Sequence, residues 1–233
     1  MSAHVVVTGG ASGLGAVIAE TLLARGRPVA LVDRDRSAAL ATADSLERSH
    51  GTQVPIVTAD LSSLAGIHDA ANALTAPEFE IAALVNNAGA WSAGDQYPRS
   101  HPDEWVATMT LGLLAPMLLT QRLWDRLAAA SGAVVNIGSS GGEGDEPYGS
   151  PEYGAAKAGI RRFTSSLGDR ADVRVMAVVP GWIGLDRAER QFAALSPEQQ
   201  RASGPLIPPQ QVADCVIDLL DRGRAGEVVE LLG

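Results

Sequence analysis

The stretch Thr8-Gly9-Gly10-Ala11-Ser12-Gly13-Leu14-Gly15 limits what this chain can fold into more than any other. The apolar run His4-Val5-Val6-Val7 precedes it and reads as a short buried strand. Residues 16–25 follow it and read as a helix packed on one face. Strand, glycine-rich turn and helix together make a phosphate site. The first N–H groups of the helix lack partners within it, the helix dipole places positive charge there, and glycines let a pyrophosphate approach the backbone. A plain turn also uses glycines. Asp33 favours a dinucleotide site, because it closes the next apolar run, Pro28 to Val32, at roughly the twenty-residue offset of a ribose contact. The other reading of Asp33 is a charge placed at a helix N-terminus.

Strand-like and helix-like segments alternate along the chain. Further helices are predicted at about 37–49, 64–74, 103–129, 151–167 and 209–221, and further strands at 53–58, 81–85, 132–137, 173–179 and 227–231. Pro55 places the third strand at or near a sheet edge, since proline cannot donate to the ladder. Pro116 should kink the helix at 103–129 unless a new helix starts there. Strands that are apolar on both sides imply an α/β fold with a parallel sheet covered on both faces. A length of 233 residues suits one such core, so residues 1–233 are expected to form a single domain. The polar, proline-bearing stretch 184–209 is expected to be its least regular, mobile part. Ligands of open parallel sheets bind outside the carboxyl ends of the strands. The loops after Val7, Asp33, Thr58, Val85, Ile137 and Val179 should therefore converge.

Net charge is −9, which argues against nucleic acid and against an anionic membrane surface as partners. The one cysteine, Cys215, excludes an internal disulfide and fits a reducing, cytoplasmic setting. Its apolar neighbours make it a small core residue rather than a nucleophile. No signal-peptide pattern is seen, and no apolar run is expected to span a membrane. His4, His50, His68 and His101 are scattered without ligand spacing, so no metal is expected.

Several motifs follow the glycine turn in order. Asp60-Leu61 follows the third strand, where Asp60 reads either as a nucleotide contact or as a helix cap. Asn86-Asn87-Ala88-Gly89 ends the fourth strand, and Gly138-Ser139-Ser140 ends the fifth. Tyr153-Gly154-Ala155-Ala156-Lys157 opens a helix and puts a phenol and an ammonium on one face. A free phenol ionises near pH ~10, too high for an efficient base, and a nearby cation favours the phenolate. Pro180-Gly181 ends the sixth strand. In this order and spacing the chain resembles the short-chain dehydrogenase/reductase family along nearly its whole length.

That resemblance implies a Rossmann-type doubly wound sheet of about seven strands in the order 3-2-1-4-5-6-7. It implies an NAD(P)-dependent oxidoreductase that moves hydride between cofactor and the carbon of a small alcohol or carbonyl compound. Tyr153 would be the proton donor and acceptor, Lys157 would tune it, and Ser139 would orient the substrate oxygen, with Ser140 a rival. Cofactor contacts would come from Thr8, Gly9, Ser12, Gly13, Leu14, Gly15, Asp33, Arg34, Asp60, Leu61, Asn87, Ala88, Gly89, Tyr153, Lys157, Pro180, Gly181 and Ile183. The carboxylate of Asp33 favours NAD over NADP, because it repels a 2′-phosphate, although Arg34 could offset it. Members of the family commonly pair through the helices after strands four and five, so a homodimer or homotetramer is expected.

The chain departs from the family pattern at three places. Thr110 takes the place of an asparagine that supports a water linking the lysine to bulk solvent, and by that position it is counted with Ser139, Tyr153 and Lys157 among the catalytic residues the resemblance implies. Leu185 replaces a threonine that binds the carboxamide. Glu230-Leu231-Leu232-Gly233 replaces a D-G-G ending. The first two departures motivate a second reading, a protein that binds NAD(P)(H) and regulates with little or no catalysis. Glu143, Asp145 and Glu146 form an acidic loop that is either merely solvated or attracts a cationic substrate.

Overall fold

The computed structural model describes residues 3–77, 79–91, 95–145 and 148–232. Seven strands form one sheet: β1 (His4–Thr8), β2 (Val29–Asp33), β3 (Ile56–Thr58), β4 (Ile81–Asn86), β5 (Ala133–Ile137), β6 (Arg174–Pro180) and β7 (Val228–Leu231). Their order is β3-β2-β1-β4-β5-β6-β7, and every neighbouring pair is parallel. The helices in chain order are α1 (Gly13–Ala24), α2 (Arg36–His50), α3 (Leu64–Leu74), α4 (Pro102–Met109), α5 (Ala115–Ala129), α6 (Pro151–Ser166), α7 (Asp186–Ala193), α8 (Pro197–Ser203) and α9 (Pro209–Arg222).

The sheet is apolar on both sides because successive residues of a strand point to opposite faces. Val5, Val7, Leu31, Val85, Val135 and Val178 pack with α1, α2 and α9 on one face. Val6, Val32, Leu84, Val134 and Val175 pack with α3 and α5 on the other. The chain order reverses between β1 and β4, which leaves a crevice at the carboxyl ends there.

Three elements differ from the sequence expectation. Strand β3 begins only at Ile56, because Pro55 has no N–H and the N–H of Val54 donates to Glu47 Oε1 at 2.8 Å instead. It does lie at the sheet edge. The long helix is not simply kinked at Pro116. A π turn, Thr110–Leu114, joins α4 to α5, with Ala115 N–H donating to the carbonyl of Thr110. A turn wider by one residue, placed just before a proline, relieves the clash its ring would make with the preceding turn. The π turn packs on α6, where a Cβ at Gly112 would be 3.0 Å from Ala156 Cβ.

Residues 184–209 are also more regular than expected. They hold α7 and α8, and α8 starts with a capping box between Ser196 and Gln199. Ile183 and Ile207 form a parallel bridge that closes the segment at its base. The long helix also differs from expectation in its apolar length. Pro102–Ala129, counted as one helix, is long and apolar enough to cross a bilayer. Its apolar residues are divided between a stripe on the sheet (Leu119, Leu123, Leu127) and an exposed set (Trp105, Val106, Leu114).

Candidate active site

A cleft of about 420 Å³ opens at the carboxyl ends of the strands around the β1–β4 reversal. The glycine turn forms one wall. Gly9 and Gly13 have φ of +64° and +53°, a region that side chains with a Cβ rarely adopt. A Cβ at Gly15 would lie 2.1 Å from the carbonyl oxygen of Gly9, so only glycine lets α1 start this close to the turn. Ser12 is the N-cap of α1, yet its side chain makes no cap hydrogen bond.

Asp33, at the end of β2, fastens this turn. Its Oδ2 accepts from the Ala11 N–H at 3.0 Å and its Oδ1 from the Asp35 N–H at 3.1 Å. Arg34, Asp60 and Leu61 line the same end of the cleft. The Ser62 hydroxyl and then its N–H hold the Asp60 carboxyl below the usual carboxylate range, and the Arg34 charge adds to this. Ser63, not Asp60, caps α3, accepting from the Gly66 N–H at 3.1 Å.

Residues 86–89 tie the strands together beneath the cleft. Asn87 Nδ2 donates to the carbonyls of Thr8 and Gly9 at 2.9 and 3.2 Å. Thr8 Oγ1 accepts from the N–H groups of Asn87 and Ala88, both at 3.0 Å. Thr8 and Gly15 therefore shape the cleft without lining it, unlike Gly9, Ser12, Gly13, Leu14, Asn87, Ala88 and Gly89. Asn86 Nδ2 donates to Asn136 Oδ1 at 2.9 Å, and Asn136 Nδ2 to Thr164 Oγ1 at 3.0 Å, linking β4, β5 and α6 inside the core.

At the other end, α6 presents Tyr153 and Lys157. Lys157 is 4% exposed, its Nζ donates to the carbonyl of Ile137 at 2.7 Å, and it lies 5.6 Å from the centre of the Tyr153 ring. Ser139 lines the cleft with them, and its Oγ accepts from the Gly141 N–H at 3.2 Å. Ser140 instead begins a 3₁₀ turn, Ser140–Gly142, and is not part of the lining. Pro180, Gly181, Ile183 and Leu185 complete this end. Thr110 is buried in the π turn and does not reach the cleft, whereas its neighbour Leu111 does.

Four contributors were not found in the sequence. Leu111, Trp91 and Arg187 line the cleft. Tyr148 stacks on Tyr153 with ring centres 6.1 Å apart, and burial, then Tyr153, raises its phenol above the ordinary range. None of the four lies in a motif, and only the folded chain brings them together. The described acids of the loop do not line the cleft. Glu143 is paired with Arg161 at 3.1 Å, neither it nor Asp145 lines the cleft, and Glu146 lies outside the described residues. Among the described residues, no cluster of His, Cys, Asp and Glu could hold a metal ion.

The cleft has the donor set for a dinucleotide. It offers uncapped N–H groups at a helix start, a glycine wall that a Cβ would fill, a carboxylate at one end and a cation with a phenol at the other. The family described as short chain dehydrogenase matches residues 3–195. The chain is 34% identical to the short chain dehydrogenase helC of Aspergillus fumigatus, over 97% of this chain and 93% of that one. It is 30% identical to an acetoacetyl-CoA reductase of Rhizobium meliloti, over 94% of this chain and 91% of that one. The solved structure of a short-chain dehydrogenase from Sphingobium yanoikuyae in complex with NADPH is similar with a TM-score of 0.82 and 27% identity, covering 98% of this chain and 87% of that one. This chain belongs to the short-chain dehydrogenase family of oxidoreductases, whose members bind a nicotinamide cofactor and act on small molecules.

Proposed function

We propose that this protein moves a hydride between NAD(H) and a secondary alcohol or its ketone, with Tyr153 exchanging the hydroxyl proton. The observation that carries the reading is the continuity of the cleft, which runs from the glycine wall and Asp33 to Ser139, Tyr153 and Lys157. Gly9, Ser12, Gly13 and Leu14 would hold the pyrophosphate, Asp33 the ribose, and Pro180, Gly181 and Ile183 the nicotinamide. A bound nicotinamide supplies or takes up the hydride. The chain's own residues do the rest. Ser139 orients the substrate oxygen, Tyr153 gives or takes its proton, and the buried Lys157 charge stabilises negative charge on the phenol oxygen during that transfer.

NAD is favoured over NADP because a carboxylate closes β2 where a 2′-phosphate would stand, while the charge of the neighbouring Arg34 acts on Asp60. Tyr153→Phe should abolish turnover and leave NADH binding, followed by its fluorescence, intact. Undiminished turnover would refute the reading. Leu185 favours a second reading, binding with little catalysis, since it puts an apolar side chain against the glycine turn, 3.6 Å from a Cβ at Gly13. NADH binding without turnover on a broad alcohol and ketone panel would support that alternative.

Pairing into a homodimer or homotetramer is part of the same proposal. Leu64, Leu114, Met117, Leu118, Trp124 and Phe163 line an apolar groove across α5 and α6 that a second copy would cover. Sedimentation would report the assembly state. The single cysteine agrees with a cytoplasmic setting.

A further inference from the structure

We propose that Arg187 recognises a carboxylate on the substrate, so that the favoured substrates are oxo acids and their hydroxy counterparts. The inference rests on the reading above and names the substrate class of that same site.

The argument begins with the charges that line the cleft. Its acids are Asp33 and Asp60, and both stand at the β2 end beside Arg34. At the Tyr153 end the cleft-lining charges are Lys157, buried and bonded to Ile137, and Arg187. In a chain of net charge −9, the substrate end is thus locally cationic. Glu143 is paired with Arg161, which it shares with Glu230, and it lies outside the lining.

The Arg187 guanidinium is also held in place. Its central carbon lies 5.4 Å from the centre of the Trp91 ring, and its Nη1 donates to the Trp91 carbonyl at 3.4 Å. Stacking on an aromatic face orders the planar fork at small entropic cost. A guanidinium carries five donors, and this bond uses one of them. Among the described residues, no carboxylate forms an ion pair with it. Its charge reaches Tyr148, which stacks on Tyr153, so the fork stands near the reacting end of the cleft.

The cofactor pyrophosphate is the competing anion. Leu185 lies against the glycine turn, whereas Arg187 stacks on Trp91 and its charge acts on Tyr148, which itself stacks on Tyr153. A single fork matches the two oxygens of a carboxylate.

The test compares a series of oxo acids with their methyl esters, in the native protein and in Arg187→Met and Arg187→Lys. The native protein should favour acid over ester in kcat/KM by about tenfold or more, the worth of one charge-assisted pair. Arg187→Met should bring that ratio close to one by raising KM for the acids, with KM for the esters and for NADH unchanged. Arg187→Lys should keep part of the preference. Calorimetric titration of the same acids into protein loaded with NAD⁺ reads the same loss without needing turnover. An unchanged ratio in Arg187→Met, an equal loss on the esters, or a loss confined to NADH affinity overturns the proposal. Calorimetric binding that depends on Arg187, with no turnover of any compound, would instead overturn the oxidoreductase reading and leave the anion site standing.

Discussion

Lys157 donates from Nζ to the carbonyl oxygen of Ile137 at 2.7 Å, which fastens the cation of α6 to the last residue of β5. The bond fixes the distance between a helix that carries the phenol and a strand end that leads into Ser139. The glycines around it make the fit tight. A Cβ at Gly142 would lie 2.8 Å from Lys157 Cβ, and one at Gly89 would lie 3.4 Å from Nζ.

Lys157→Met should therefore lower kcat/KM by about 10²–10⁴-fold, the usual range for losing support of a proton transfer. Lys157→Arg should not rescue it, because a planar fork does not reproduce the compact donor that bonds the Ile137 carbonyl. Steady-state kinetics at matched folded fraction reads this. An arginine variant with near-native activity would show that charge alone suffices.

The second prediction concerns the bonds that hold β4, β5 and α6 together. Asn136 is fully buried, accepts from Asn86 and donates to Thr164. Asn136→Ala leaves Asn86 Nδ2 with only a long contact to Thr120 Oγ1 at 3.4 Å. Unsatisfied buried amides and the cavity together should cost about 2–4 kcal/mol. Urea unfolding should show a lower midpoint at unchanged slope. A loss below about 0.5 kcal/mol would mean that the network is compensated elsewhere.

Local spacing explains why much of this site could be read in the sequence. The glycine turn, Asn87 and the Tyr153–Lys157 pair each depend on residues a few positions apart, and their chemistry follows from that spacing. The strand alternation likewise fixes which side chains face each layer. Arg187 and Trp91 could not be read this way. They are 96 positions apart, and their contact exists only because residues 184–209 fold over the loop after β4. The π turn was hidden for another reason: Pro116 signals a disturbance, but packing of Gly112 on Ala156 decides its form. The helix α8 was legible in principle, since Ser196-Pro197-Glu198-Gln199 is a capping-box sequence.

Cys215 supplies a prediction that is independent of catalysis. Burial, then the nearby Asp218 charge, pushes its thiol from 9.0 up to about 11. The sign is that of a neutral form favoured by folding, so thiolate accumulates only as pH rises toward that value. At pH 8 the folded protein should react with a thiol reagent about a hundredfold more slowly than an ordinary cysteine of pKa 9.0, two units being two factors of ten. Denaturant should restore the ordinary rate. Fast labelling of the native protein at that pH would contradict the burial argument.

The last prediction turns on the carboxylate of Asp33, which has two tasks that can be separated. It fastens the glycine turn by accepting from the Ala11 N–H and lines the cleft; on the function proposed above, its negative charge stands where the 2′-phosphate of NADP would lie. Asp33→Ser removes the charge and keeps a small acceptor. Two like charges at ~4 Å repel by about 4 kcal/mol at a surface-like dielectric, and an open, solvated cleft reduces this to about 1–3 kcal/mol. The ratio of kcat/KM for NADPH over NADH should therefore rise by about 10–100-fold. Arg34 should carry part of the gain, because its charge lines the same end of the cleft and can meet the phosphate. Arg34→Ala in the same background should then reverse most of it, while Arg34→Ala alone should weaken NADPH more than NADH. A native protein that already prefers NADPH, or a ratio unmoved by Asp33→Ser, would show that this carboxylate holds the turn and does not choose the cofactor.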